Sequence, residues 1–177
     1  MKKILFLGVL LSFAAGCSSQ KDNVAPSSTT LDGQWQLTKI TVNAVLKDEE
    51  KVSEDSFPAD VVTVDFKSDG KVKGQLPFLS DLDSFLFVDL ETQGFDYRYE
   101  VTDNLIVIRN RVTDTKDLEK AYFKLSKTEN SMTWTMDMNL AKKSANASEV
   151  ELIVPLDEKD LDNLLRDFEM KWEFKKK

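Results

Sequence analysis

The chain has 177 residues, 24 of them Lys or Arg and 31 Asp or Glu, and its formal net charge of −7 disfavours a nucleic-acid partner, which needs a basic face against phosphate. With 41% hydrophobic and 31% charged residues it has enough apolar content to bury a core and does not read as a disordered chain. It contains no His and one Cys, which excludes imidazole-based triads, His or multi-Cys metal centres and internal disulfides.

The N-terminus reads as an export signal. Met1-Lys2-Lys3 is a short basic start, Ile4 to Leu11 is an apolar run, and Ala14-Ala15-Gly16 places small residues directly before Cys17. The apolar run is far short of the roughly 20 residues a bilayer crossing needs, so it reads as a secretory signal. Together these residues resemble a bacterial lipobox, although Ala14 stands where Leu is commoner. The resemblance implies cleavage before Cys17, a diacylglycerol thioether on its sulfur and acylation of its new amine, so that the membrane is a partner through the lipid. Removing residues 1–16 leaves 161 of the 177, and losing Lys2 and Lys3 takes the net charge from −7 to −9. Anionic headgroups would repel so acidic a domain. Ser18, in place of Asp, resembles the outer-membrane pattern of Gram-negative lipoproteins. Residues 18–30 are mostly Ser, Thr, Asn, Asp and Pro and read as a flexible tether. The expected organisation is signal 1–16, lipidated tether 17–30 and one domain over 31–177.

From Leu31 onward, period-two alternation dominates. Trp35 and Leu37 share one parity while Ile40, Val42 and Ala44 share the other, so the first strand needs a bulge or bend near Thr38-Lys39. Val62, Val64 and Phe66 alternate and lead into the hairpin turn Ser68-Asp69-Gly70. Residues 77–92 fit either a helix, through Leu82, Phe85, Leu86 and Leu90, or a strand. Phe95, Tyr97, Tyr99 and Val101 alternate up to a turn at Thr102-Asp103-Asn104, beyond which Leu105 to Ile108 reads as a central strand. Phe123 and Leu125 precede a turn at 127–130. Met132, Trp134, Met136 and Met138 form the next stripe, and Val150, Leu152 and Val154 another strand. One short helix is expected at 158–167, capped by Asp157 or Asp160, with a last strand at 169–175. The expected fold is all-β: an antiparallel barrel or sandwich of 8–10 strands with one short helix near the C-terminus.

Gly33-Gln34-Trp35 at the start of the first strand, followed by hairpins such as Phe66-Lys67-Ser68-Asp69-Gly70, resembles the lipocalin-like domain lipoproteins of Gram-negative bacteria. That resemblance implies a barrel whose tryptophan lies buried at the closed end, under an arginine from a late strand. Here Arg98, Arg109, Arg111 and Arg166 offer no obvious counterpart.

The acid pairs Asp81/Asp83, Asp114/Asp117 and Asp157/Asp160 fall in loops or at a helix start, where carboxylates are ordinarily solvated. Asp81-x-Asp83 lacks the glycine and distal Glu of a calcium loop. No phosphate loop or nucleotide fingerprint occurs, and no cofactor, metal or enzyme activity is expected. The candidate binding residues are Tyr97, Tyr99, Trp134, Met136 and Met138, whose aromatic and Met stripes would line a barrel interior that holds one small apolar or amphipathic ligand. The alternative is an accessory envelope lipoprotein with a filled core that binds a protein partner.

Overall fold

The computed structural model describes residues 30–47, 50–56, 61–81, 84–150, 152–153 and 155–177. The lipobox, Cys17 and the tether up to residue 29 lie outside the described residues. The elements in chain order are β1 (Gly33–Leu46), β2 (Glu50–Ser56), β3 (Thr63–Phe66), β4 (Val72–Asp81), β5 (Ser84–Asp89), β6 (Asp96–Thr102), β7 (Leu105–Thr113), β8 (Lys116–Lys127), β9 (Ser131–Asp137), α1 (Met138–Asn146), α2 (Glu158–Leu164) and β10 (Leu165–Lys176). The strands follow the order β5-β4-β3-β1-β10-β9-β8-β7-β6, with β2 paired to the later part of β1. Strand pairing is antiparallel throughout, so the all-β expectation holds in its coarse form. The sheet does not close into a continuous ring. Its flanks touch at one isolated bridge, Lys71 to Arg98, beside a 2.8 Å bond from the Tyr99 amide to the Gly70 carbonyl.

β1 carries the bulge its sequence demands. The register with β10 shifts between Leu37 and Lys39, leaving Thr38 as the extra residue. Trp35 and Leu37 on one side of the shift, and Ile40, Val42 and Ala44 on the other, are all fully buried. The Thr38 hydroxyl donates to the Glu173 carbonyl at 3.0 Å, which stitches the kink to its neighbour.

Gly74 turns a second corner. Its φ is +84°, a region open to glycine and strained for other residues. Residues 72–74 of β4 pair with β3, and residues 75–81 pair with β5. A Cβ at position 74 would lie 2.4 Å from the Thr63 carbonyl oxygen. Gly74→Ala combines backbone strain with a clash against backbone and should cost about 2–4 kcal/mol, read as a lower urea midpoint with an unchanged slope.

Four expectations are corrected. The Met stripe ends at Asp137, and Met138 begins a helix instead of continuing the strand. The Asp137 side chain accepts from the Leu140 amide at 3.0 Å and from Lys124 at 2.6 Å, so it caps α1. Burial pushes the Asp137 carboxyl up, but the bonds from Lys124 and the Leu140 and Asn139 amides outweigh it and hold it below the usual value. Two helices are therefore present among the described residues where one was expected. α1 covers part of β8: Ser144 and Ser148 hydroxyls accept the Tyr122 and Lys120 amides at 3.1 and 3.0 Å.

Residues 149–150 and 152–153 are bends where a strand through Val150 and Leu152 was expected, and the Leu152 and Ile153 amides bond a side chain; Val154, the third residue of that expected strand, lies outside the described residues. α2 stops at Leu164, three residues short, since Leu165 already pairs with Leu46. Asp157, not Asp160, caps it, accepting the Asp160 amide at 2.7 Å. Over 77–92 the strand reading prevails, as the hairpin β4–β5.

Candidate functional site

The five candidate residues separate into three environments. Trp134 is fully buried in a group of rings. It stacks on Trp172 at 5.7 Å between centroids and 25° between planes, with Phe174 at 4.9 Å, Phe123 at 5.5 Å and Phe66 at 5.6 Å. Aromatic pairs at these separations add about 0.5–1.5 kcal/mol beyond area burial. Met136 is buried two residues along β9 and pairs across the ladder with buried Met170. The indole nitrogens of Trp134 and Trp172 have no hydrogen-bond partner. Met138, at the start of α1, is only partly buried and packs against the core margin.

Tyr97 lies elsewhere on the inner face. Its ring meets Phe95 at 5.9 Å and Phe78 at 6.0 Å, and its hydroxyl donates to Glu119 Oε2 at 2.5 Å. Glu119 is 2% exposed and its Oε1 also accepts the Leu152 and Ile153 amides, both at 2.7 Å. One carboxylate thus ties β6 and the segment after α1 to β8. Burial first, and then the Glu119 charge and hydrogen bond, push the Tyr97 hydroxyl far above its ordinary value. This tie has the form of a satisfied structural network. A lone Glu in the exposed-looking run Lys116-Asp117-Leu118-Glu119 gave no sequence signal for it.

Tyr99 is half-buried with its edge against Phe66, and its hydroxyl donates to Asp32 Oδ1 at 3.0 Å and to the Lys67 carbonyl at 3.1 Å. Burial, then the hydrogen bond and charge of Asp32, push it up to about 12. It therefore anchors the start of the domain to the β3–β4 turn.

The Gly-x-Trp end is held by the same logic. Gly33 has φ +110°, which explains glycine there. The Trp35 indole donates to the Leu31 carbonyl at 2.8 Å, and Leu31 is itself fully buried. No arginine lies over the ring; Lys127 and Lys176 do, their ammonium nitrogens 5.8 and 5.7 Å from its centroid. These two lysines come from the ends of β8 and β10.

A surface cleft of about 230 Å³ is lined by Asp69, Gly70, Arg98, Tyr99, Glu100, Arg109 and Arg111. A second hollow, of about 10 Å³ beside Glu119 and Ser144, has room for one water at most. Neither is lined by Trp134 or Met136. Among the described residues no three acidic or thiol side chains converge as a metal-binding group. No protein-family model, curated protein or solved structure matches this chain.

Proposed function

We propose that the chain is a lipid-anchored, non-catalytic protein of the outer membrane. In this reading Cys17 carries the anchor, residues 31–177 form a lipocalin-like barrel with a filled interior, and the outer surface acts on another envelope protein. The barrel reading is supported by the buried Trp35 beneath two cations, the meander order of the strands and the bridge from Lys71 to Arg98. The observation that carries the functional reading is the ring group around Trp134, which occupies the space a cup would offer to a ligand.

A ligand-binding cup for a small apolar or amphipathic molecule is the second reading. The unpaired indole N–H groups of Trp134 and Trp172 favour it, since a buried donor without an acceptor costs about 1–3 kcal/mol that an amphipathic guest would recover. Met136 and Met170 are the flexible side chains able to yield to such a guest.

Titration of the folded protein with an apolar fluorescent probe and with fatty acids separates the two. The filled interior gives no saturable signal, and Met136→Ala then costs more than about 2 kcal/mol of stability. A one-to-one signal, competed by fatty acid and weakened by Met136→Ala in a fold that stays intact, would overturn the filled-core reading. The anchor has its own test. Cys17→Ser should leave a species that takes up no labelled lipid and no longer partitions into detergent; persistent lipidation would refute the lipobox.

A further inference from the structure

Three of the chain's four arginines, Arg98, Arg109 and Arg111, line the one surface cleft described above. Their placement follows from register. Arg98 stands directly opposite Arg109 across β6 and β7, and Arg109 directly opposite Lys120 across β7 and β8. Like charges in directly opposed positions destabilise a sheet, so a row of three cations across three strands is a costly arrangement for a structural face. Arg111 lies between two register shifts in the β7–β8 ladder, and bulges of this kind re-aim side chains.

The protein's own carboxylates hold the row in place without saturating it. Glu100 pairs with Arg109, and Asp96 with Arg98 at 3.3 Å. Asp117 lies 3.7 Å from Arg111 and 3.5 Å from Lys120. The Nε atoms of Arg109 and Arg111 are buried and make no hydrogen bond. Each guanidinium presents five donors in a fixed fork that matches carboxylate and phosphate oxygens. Two carboxylates, Asp69 and Glu100, already line the cleft, so a carboxylate ligand would gain little over them. A tetrahedral dianion with several free oxygens can take donors from more than one fork at once.

We propose that this cleft is a phosphate-binding site, whose ligand is a phosphate group of a soluble molecule or of a lipid headgroup. On the anchored reading proposed above, the tether length keeps the cleft within reach of the membrane surface. Tyr99 lines it and bonds Asp32, and Asp32 is fifteen residues from Cys17, a stretch that spans at most about 50 Å. The site binds through charge-assisted hydrogen bonds, so its affinity falls as salt rises.

The test uses the full chain in detergent micelles, titrated with inorganic phosphate and followed by calorimetry and by thermal unfolding. Phosphate should bind and raise the midpoint, while chloride at matched ionic strength should not. Arg109→Gln should weaken binding at least about tenfold, the loss of one charge-assisted contact. Arg109→Lys, which keeps the charge and loses the fork, should fall between. Arg109→Gln removes the charge facing Arg98 and Lys120, so it should fold at least as well as the parent. Lys159→Gln, at an exposed position of α2, should bind as the parent does. Repeating the titration in phosphatidylcholine discs with and without phosphatidic acid identifies the source. Competition by the acidic lipid points to a headgroup, and unchanged affinity to a soluble phosphate. Absence of phosphate binding at millimolar concentration, or equal binding by Arg109→Gln, would overturn the proposal.

Discussion

Trp35→Ala should lower stability by about 3–5 kcal/mol, the usual cost of deleting a buried aromatic side chain, out of a total that is typically about 5–15 kcal/mol. The size follows from what Trp35 joins. The ring is fully buried, its indole holds the Leu31 carbonyl, and the cations of Lys127 and Lys176 lie over its face. Truncation leaves a cavity, frees Leu31 and brings two ammonium groups together over a void. The measurement is the urea midpoint, with Trp35→Phe as companion. Phe keeps most of the apolar area and loses the indole donor, so it should recover more than half of the loss. A shift within error for Trp35→Ala would show that the Gly-x-Trp end contributes nothing to the fold.

Glu119→Ala should be as damaging for a different reason. It removes little apolar area but leaves the Tyr97 hydroxyl and the Leu152 and Ile153 amides without their acceptor. Each orphaned buried donor costs about 1–3 kcal/mol, so a loss of about 3–5 kcal/mol is expected. Tyr97→Phe in the same background should then have almost no further effect, and the double-mutant cycle measures that coupling.

The pair also sets an alkaline limit. Tyr97 and Tyr99 are both held above their ordinary value of about 10 in the fold. The unfolded chain therefore releases these protons first. The stability linked to them is fully present below pH 10 and is lost as pH rises, through about 12 for Tyr99 and beyond for Tyr97. Unfolding followed between pH 8 and 12 should show this decline, and Tyr97→Phe should flatten part of it.

The features legible in the sequence were those written along a single strand. Parity alone called for a bulge or bend near Thr38-Lys39, because five buried residues cannot share one face without it. Asp-Gly and Asp-Asn marked two hairpin turns, where Gly70 at φ +82° and Asp103 at φ +54° adopt the conformations such residues tolerate. The first helix was hidden because Met138 continues the Met stripe for one residue beyond the strand. Only Ala141 and Ser144 of α1 are buried, so it has little apolar periodicity to detect. Its one readable signal was Asp137 ahead of Leu140-Ala141-Lys142-Lys143. β2 was missed since Val52 is the only apolar residue among its seven. Among the candidate residues, Trp134, Met136 and Tyr97 are buried, but the division into separate ring groups depends on neighbours far along the chain. The arginine cleft was illegible for the same reason. Arg98 and Arg109 are eleven positions apart and become neighbours only once the β6–β7 register is known.

The position of β10 has a consequence for the order of assembly. It is the last of the described strands in chain order, yet it lies between β1 and β9 in the middle of the sheet. Without it the chain divides into two local meanders, β1 to β5 and β6 to β9, each built from neighbours in sequence. The β1–β10 ladder joins Trp35 to Lys176, almost the full length of the domain, and contacts so distant in sequence carry the largest loop-closure entropy and form slowly. Until the twelve residues of β10 arrive, the buried face of β9, with Trp134 and Met136, has no partner on one side and the core cannot assemble. A chain that emerges from its N-terminus thus completes this sheet only after β10 has emerged.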